Sequence, residues 1–272
     1  MICIYHSNCA DGFTGAWVVR KALGDSTPIT FYPGKYGDTN LPVVDGEDVL
    51  LVDFSYKRPV LTELRDRAKS ITILDHHKTA EADLKDLPGI ETVFDMNRSG
   101  ARIAWDYFFP SVEPPQLLKH IEDRDLWRFA LRSTREIQIS VFSYPYEFAV
   151  WDHLMTCDLD LLAKEGETLD RKHFKDIREI IDQATRRMVI GGVNVPVVNL
   201  PYTMASDAGH ILSKGEYFAA SYYDTQNGRN FSLRSQPEGM DVSQIALMYG
   251  GGGHRNAAGF NVSFEVAKGF EL

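Results

Sequence analysis

Ile71-Thr72-Ile73-Leu74-Asp75-His76-His77 is the stretch that decides the fold. Its first four residues are short, apolar and mostly β-branched, the composition of a strand buried on both faces of a parallel sheet. Three side chains able to ligate a metal or move a proton follow at once. They stand at the carboxyl end of the strand, where open α/β sheets bind their ligands. Two other runs repeat the pattern. Ile2-Cys3-Ile4-Tyr5 leads into His6 and then Asp11-Gly12, and Val49-Leu50-Leu51-Val52 leads into Asp53. Three strands would thus deliver imidazole and carboxylate to one edge, which points to a metal site.

Outward from these runs, strand and helix signals alternate. Gly12 to Ala22 carries apolar residues at helical spacing, Ile29 to Tyr32 reads as a short strand, and a Gly- and Pro-containing loop runs to Pro42. A helix starts near Pro59, and a polar stretch with Pro88-Gly89 follows Asp75. Such alternation implies βαβ crossovers and a parallel sheet. Ser99 to Phe109 and Pro115 to Asp125 read as helices, the second ending in Asp123-Arg124-Asp125-Leu126-Trp127. The aromatic-rich stretch Phe142 to Trp151 reads as core. From Leu159 to Arg187 the chain is charged, with helical periodicity and no strand signal. Gly191-Gly192 then introduces strand-like runs at Val193–Leu200, Tyr217–Tyr223 and Asn230–Arg234, a helix at Asp241–Tyr249, and Gly250 to Gly253 with His254. The expected class is α/β. A parallel-sheet metal domain would span 1–158, a helical connector 159–191, and a second, smaller α/β domain 192–272.

Composition bounds the partners. Of 272 residues, 44% are hydrophobic and 25% charged, ordinary for a globular chain. A formal net charge of −9 provides no overall basic field for long duplex DNA, so any nucleic-acid substrate is expected to be short. Three cysteines without a CxxC pair argue against a disulfide framework or a zinc ribbon and fit a reducing cytoplasm. No signal peptide and no membrane-spanning apolar run is evident, so a cytoplasmic protein without a membrane partner is expected. Monomer and homodimer both remain open.

His6, Asp11, Asp53, Asp75, His76 and either Asp123 or Asp125 form a carboxylate-rich set with some imidazole. Such donors suit Mn2+, Mg2+ or a similar divalent ion better than a thiolate zinc site. Two ions about 3.5–4 Å apart need a bridging carboxylate and can clamp an in-line displacement at phosphorus. Asp53, on the middle of the three clusters, is the natural bridge. The glycine run would let backbone amides approach an anion, with His254 adding a donor. Ser99 fits a helix N-cap as well as a phosphate contact.

These motifs together resemble the DHH phosphoesterase superfamily. His6-x-Asn8-Cys9-x-Asp11-Gly12, Asp53, Asp75-His76-His77 and the Asp123 region match its four motifs in order, and Gly251-Gly252-Gly253-His254 with Asn256-Ala257-Ala258-Gly259 matches its companion DHHA1 domain. The resemblance covers nearly the whole chain. It implies a cleft between two domains and two divalent ions, Mn2+ foremost with Mg2+ or Co2+ as alternatives. His6 and Asp53 would hold the first ion, and Asp11, Asp53, His76 and Asp123 the second. Asp123 is preferred to Asp125 because family members carry an aromatic four positions after the ligand, where Trp127 stands. His77 would contact the scissile phosphate, and Asp75 would orient a ligand imidazole. Arg98, Ser99, Arg234, Ser235, Gly252, Gly253 and His254 would bind substrate. One departure concerns the first motif, where Cys9 replaces the usual aspartate. It would be either a softer ligand or a small packed thiol.

The activity implied is hydrolysis of short oligonucleotides or dinucleotides to mononucleotides by hydroxide attack between two metals. This is the action of a 3′→5′ exonuclease, an oligoribonuclease of the nanoRNase kind, or a cyclic-dinucleotide-related phosphodiesterase. The alternatives are a pyrophosphatase or exopolyphosphatase, and a catalytically silent nucleotide-binding protein.

Overall fold

Each of the three decisive runs forms a strand in the computed structural model, which describes residues 1–24, 26–37 and 40–271. They are β1 (Ile2–His6), β3 (Asp48–Val52) and β4 (Ser70–Asp75), joined at the sheet margins by β2 (Thr30–Gly34) and β5 (Glu91–Phe94). The order is β2-β1-β3-β4-β5 and every neighbouring pair is parallel. The chain therefore reverses its direction of strand addition between β1 and β3, and doubly wound sheets bind their ligands at such a switch point.

Alternate residues of these strands supply two separate cores, the period-two division that strand geometry dictates. Cys3, Leu50 and Leu74 face a layer holding Val19, Ala104 and Trp151. Ile4, Leu51 and Ile73 face one holding Phe54, Leu61 and Leu64. Both faces are covered, so the strands read as unbroken apolar runs. The covering helices are α1 (Ala10–Leu23), α2 (Arg58–Arg67), α3 (Lys78–Leu84), α4 (Gly100–Phe108), α5 (Gln116–Asp125), α6 (Thr134–Val141) and α7 (Phe148–Leu154). Within the aromatic stretch, Trp151 is fully buried and its indole N–H donates to Thr14 Oγ1 at 2.9 Å.

The chain divides into two units, Met1–Asp170 and a second beginning at Arg171, and the division falls inside α8 (Leu159–Ala184). The stretch 159–191 is helical only to Ala184. Residues Arg186–Ile190 form β6, an antiparallel hairpin partner of β7 (Val193–Asn199). Gly191 and Gly192 make the turn with φ of +60° and +80°, the paired positive values that a two-residue hairpin with matching twist requires. The rest of the unit comprises α9 (Ala205–Leu212), β8 (Ala219–Thr225), β9 (Gly228–Arg234), α10 (Val242–Leu247), β10 (Gly252–Gly253), β11 (Ala257–Val262) and α11 (Phe264–Lys268). Its sheet runs β10-β11-β9-β8-β7-β6, and only β7 and β8 pair in parallel. The molecule is thus α/β, with a parallel sheet in one unit and a mixed sheet in the other. Among the described residues no helix is long and apolar enough to cross a membrane.

Candidate metal centre

Asp53 is the pivot of the first unit's sheet edge. Its amide donates to Leu74 O at 2.9 Å, extending the β3–β4 pairing by one residue. Its φ is then +53°, a conformation that Asp tolerates better than most residues. The carboxylate, 1% exposed, lies among three imidazoles. His76 Nε2 is 3.1 Å from Oδ1, His6 Nδ1 is 3.4 Å from Oδ2, and His77 Nδ1 is 4.0 Å from Oδ1. Two groups of donor atoms result, each lying within 4.8 Å of one another: His6, Asp53 and His77, and Asp11, His76 and Asp125.

Supporting contacts fix these side chains. Asp75 Oδ1 accepts from the amides of His76 (2.7 Å) and His77 (3.3 Å) and stands 2.7 Å from His77 Nδ1. That carboxylate orients the His77 ring and places its proton on Nδ1. Asp11 stands at the start of α1, and both its oxygens accept from the Ala101 amide at 3.2 Å, at the N-terminus of α4. Helix starts favour carboxylate there. Gly100 permits the approach, since a Cβ on it would lie 2.4 Å from Asp53 Cβ.

Asp123, the expected ligand, lies outside both donor groups, whereas Asp125 lies within one. Asp123 is turned into the loop after α5, accepting from the amides of Ala130 (2.8 Å) and Leu131 (3.1 Å) and from Thr134 Oγ1 (2.6 Å). Its carboxylate serves the loop. Asp125 joins the cluster instead, with Oδ2 at 3.4 Å from His76 Nε2.

Electrostatics divides the acids. Burial disfavours charge on Asp53, yet the hydrogen bonds of His6 and His76 hold it well below the usual carboxylate range. Burial, then the charges of Asp53 and Asp125, push Asp11 well above that range. Burial likewise raises Asp125, although His76 opposes the shift. Burial would lower His76, but the bond to Asp53 and the charges of Asp125, Asp53 and Asp11 carry it up to about 10. His77 is raised against burial by Asp75. So many buried carboxylates around two raised imidazoles are what a site lacking positive charge looks like. Among the described residues, Oδ2 of Asp75 is buried and accepts no hydrogen bond, and the buried Oδ2 of Asp53 has His6 Nδ1 no nearer than 3.4 Å. Such poorly satisfied oxygens and a mixed carboxylate–imidazole set fit divalent cations.

Cys9 lies outside both groups among the described residues. It holds the N-cap position of α1 without a side-chain capping bond. Burial, followed by the charges of Asp53, Asp125 and Asp11, raises its thiol well above the ordinary range.

The expected substrate contacts have structural partners. Arg98 donates to Asp95 (2.8 Å) and Asp106 (2.9 Å). Ser99 is fully buried and caps α4 by accepting from the Arg102 amide at 3.3 Å. In the second unit, Arg234 donates to Ser206 Oγ (2.9 Å) and Leu233 O (2.8 Å), and Ser235 Oγ accepts from Asn256 Nδ2 (2.9 Å). Gly252 and Gly253 do not form an open amide cradle, because they are β10, paired with Gly259 and Ala258 of β11. The amides of Gly250, Gly251 and His254 already donate to Leu247, Ala246 and Ala257. A Cβ at Gly251 would meet Gly259 O at 2.1 Å, so the run serves close backbone packing and a tight turn at His254. Sequence reasoning missed Tyr36, which lies just past β2 at the same sheet edge. The signal was available: the residues beyond each strand end carry the site, and β2 ends two positions before Tyr36.

No known family profile matches the chain. Uncharacterized protein R106 of Acanthamoeba polyphaga mimivirus is 29% identical over 292 residues, covering 98% of this chain and 68% of that protein. Oligoribonuclease NrnB of Bacillus subtilis (strain 168) is 23% identical over 236 residues, covering 76% of this chain but only 56% of that protein. Among solved structures, the pGpG-specific phosphodiesterase PggH from Vibrio cholerae superposes with a TM-score of 0.51 at 16% identity, covering 98% of this chain and 95% of that one. RecJ from Thermus thermophilus, solved with Mn2+, gives 0.54 at 15% identity over 97% of this chain and 50% of its own. At these identities the structural likeness is one of fold.

Proposed function

Because the chain is built on the DHH/DHHA1 phosphoesterase fold, we propose that it is a divalent-metal-dependent phosphodiesterase cleaving short oligonucleotides or dinucleotides to mononucleotides. The observation that carries this reading is the pair of donor groups meeting at the Asp53–His76 contact of 3.1 Å. His6 and Asp53 would hold one ion, and Asp11, His76 and Asp125 the other, with Asp53 shared between them. When bound, divalent ions supply Lewis acidity toward phosphoryl oxygens and lower the pKa of water.

The chain's own residues do the rest. Asp75 keeps the His77 ring fixed, so that His77 meets the phosphate as a charged donor where negative charge develops. The N-terminus of α4 holds Asp11 in place through Ala101. The relatives support the substrate class: one is named an oligoribonuclease and another a pGpG-specific phosphodiesterase. Cys9 is a packing thiol in this reading, and Mn2+ is the favoured ion.

The test is product analysis with 5′-labelled RNA, from dinucleotide to long oligomers, in Mn2+ and in chelator, with polyphosphate as comparison. Mn2+-dependent release of mononucleotides from the shortest species is the expected result. Hydrolysis of polyphosphate alone would overturn the assignment.

A further inference from the structure

Beyond Gly34, the last residue of β2, the chain passes through Lys35 to Tyr36. The Tyr36 ring packs against three others. Its centroid lies 5.4 Å from His6 and 5.9 Å from His77, both edge-on, and 4.8 Å from Phe54. Phe54 can back it because Gly34 carries no Cβ, which would meet the Phe54 ring at 2.7 Å. Yet 51% of the residue is exposed.

Single exposed aromatics are common on protein surfaces. This one packs against two imidazoles of the candidate metal centre, and about half of the residue is exposed beside them. The separation from those imidazoles is comparable with the span from a phosphorus to the base it carries. We propose that Tyr36 determines specificity by stacking on the nucleobase adjoining the scissile phosphate held at the His6–Asp53–His77 group. Stacking accepts any base, because each has a π face. Tyr36 thereby sets the substrate class as nucleotide rather than bare phosphate ester, and it selects no particular sequence. This inference rests on the phosphodiesterase reading above.

The experiment compares the full chain with its Tyr36→Ala and Tyr36→Phe variants in Mn2+. Each is assayed on a dinucleotide and on its abasic counterpart, which keeps both sugars and the phosphodiester but lacks the bases. Wild-type protein is expected to prefer the dinucleotide. Tyr36→Ala should reduce that preference, the ratio of the two kcat/KM values, about 10-fold and chiefly through KM, whereas Tyr36→Phe should keep it. If Tyr36→Ala slows both substrates equally, the ring merely packs against His6 and His77 and the proposal fails while the phosphodiesterase reading stands. If wild-type protein cleaves neither phosphodiester, reading and proposal fall together.

Discussion

Asp53 combines a left-handed backbone, a buried carboxylate and three imidazole neighbours, so substitutions there separate chemistry from fold. Asn tolerates the same φ. Asp53→Asn should therefore keep the circular dichroism of the wild type and lose about 100-fold or more in turnover. Asp125→Ala should raise the Mn2+ concentration for half-maximal activity about 10–100-fold. Asp123→Asn should instead lower stability by about 1–3 kcal/mol, read by denaturant titration, because its loop amides lose a charged acceptor. Sequence made the strand-borne residues legible, since Asp53, Asp75, His76 and His77 each follow an apolar run. It could not choose between Asp123 and Asp125, which share one helix end but point about 160° apart. The decision lies in the loop after α5. His76 gives a pH signature. Its folded pKa of about 10 exceeds the ordinary 6.5, so its stabilising contribution to the metal-free protein is complete below about 6.5 and is lost as pH rises through about 10. An ion must displace that proton. Apparent Mn2+ affinity should rise with pH up to about 10, with proton release visible by calorimetry in buffers of different ionisation enthalpy. A flat profile would remove His76 from the ligand set.

The N-terminus of α4 is the element on which the centre leans. Ala101 supports Asp11, Ser99 caps the helix, and Gly100 lets both approach Asp53. Gly100→Ala must push α4 away from β3, because its Cβ would fall 2.4 Å from that of Asp53. The expected cost is about 1–3 kcal/mol in a denaturant titration, with weaker Mn2+ binding alongside. Helix and strand periods revealed α1, α2, α4 and α5 to within a few residues, and β1, β3 and β4 nearly to the residue. Elements whose own sequence is ambiguous escaped. β6 is Arg186–Ile190, whose charged start continues the pattern of α8, and it becomes a strand because Gly191-Gly192 folds it onto β7. The glycine run looked like a loop, and β10 exists only because β11, an Ala- and Gly-rich strand, lies alongside.

At the scale of the molecule, two units own separate cores, one pair of layers about the parallel sheet and another about the mixed sheet. All donors of the two groups around Asp53 belong to the first unit. Mn2+ at about 100 times its Kd should raise that unit's calorimetric transition by about 5–10 °C and leave the transition of the unit from Arg171 onward near its metal-free value. A shift confined to the second transition would place the ion elsewhere. The contact between Ala101 and Asp11 spans ninety residues of chain, and Asp125 enters later still. That span has a consequence in time. During synthesis, His6, Asp11, Asp53, His76 and His77 leave the ribosome before the helix that carries Asp125 exists. Parallel crossovers of this length also close slowly. A nascent chain therefore displays an incomplete set of candidate donors until α4 and α5 have docked.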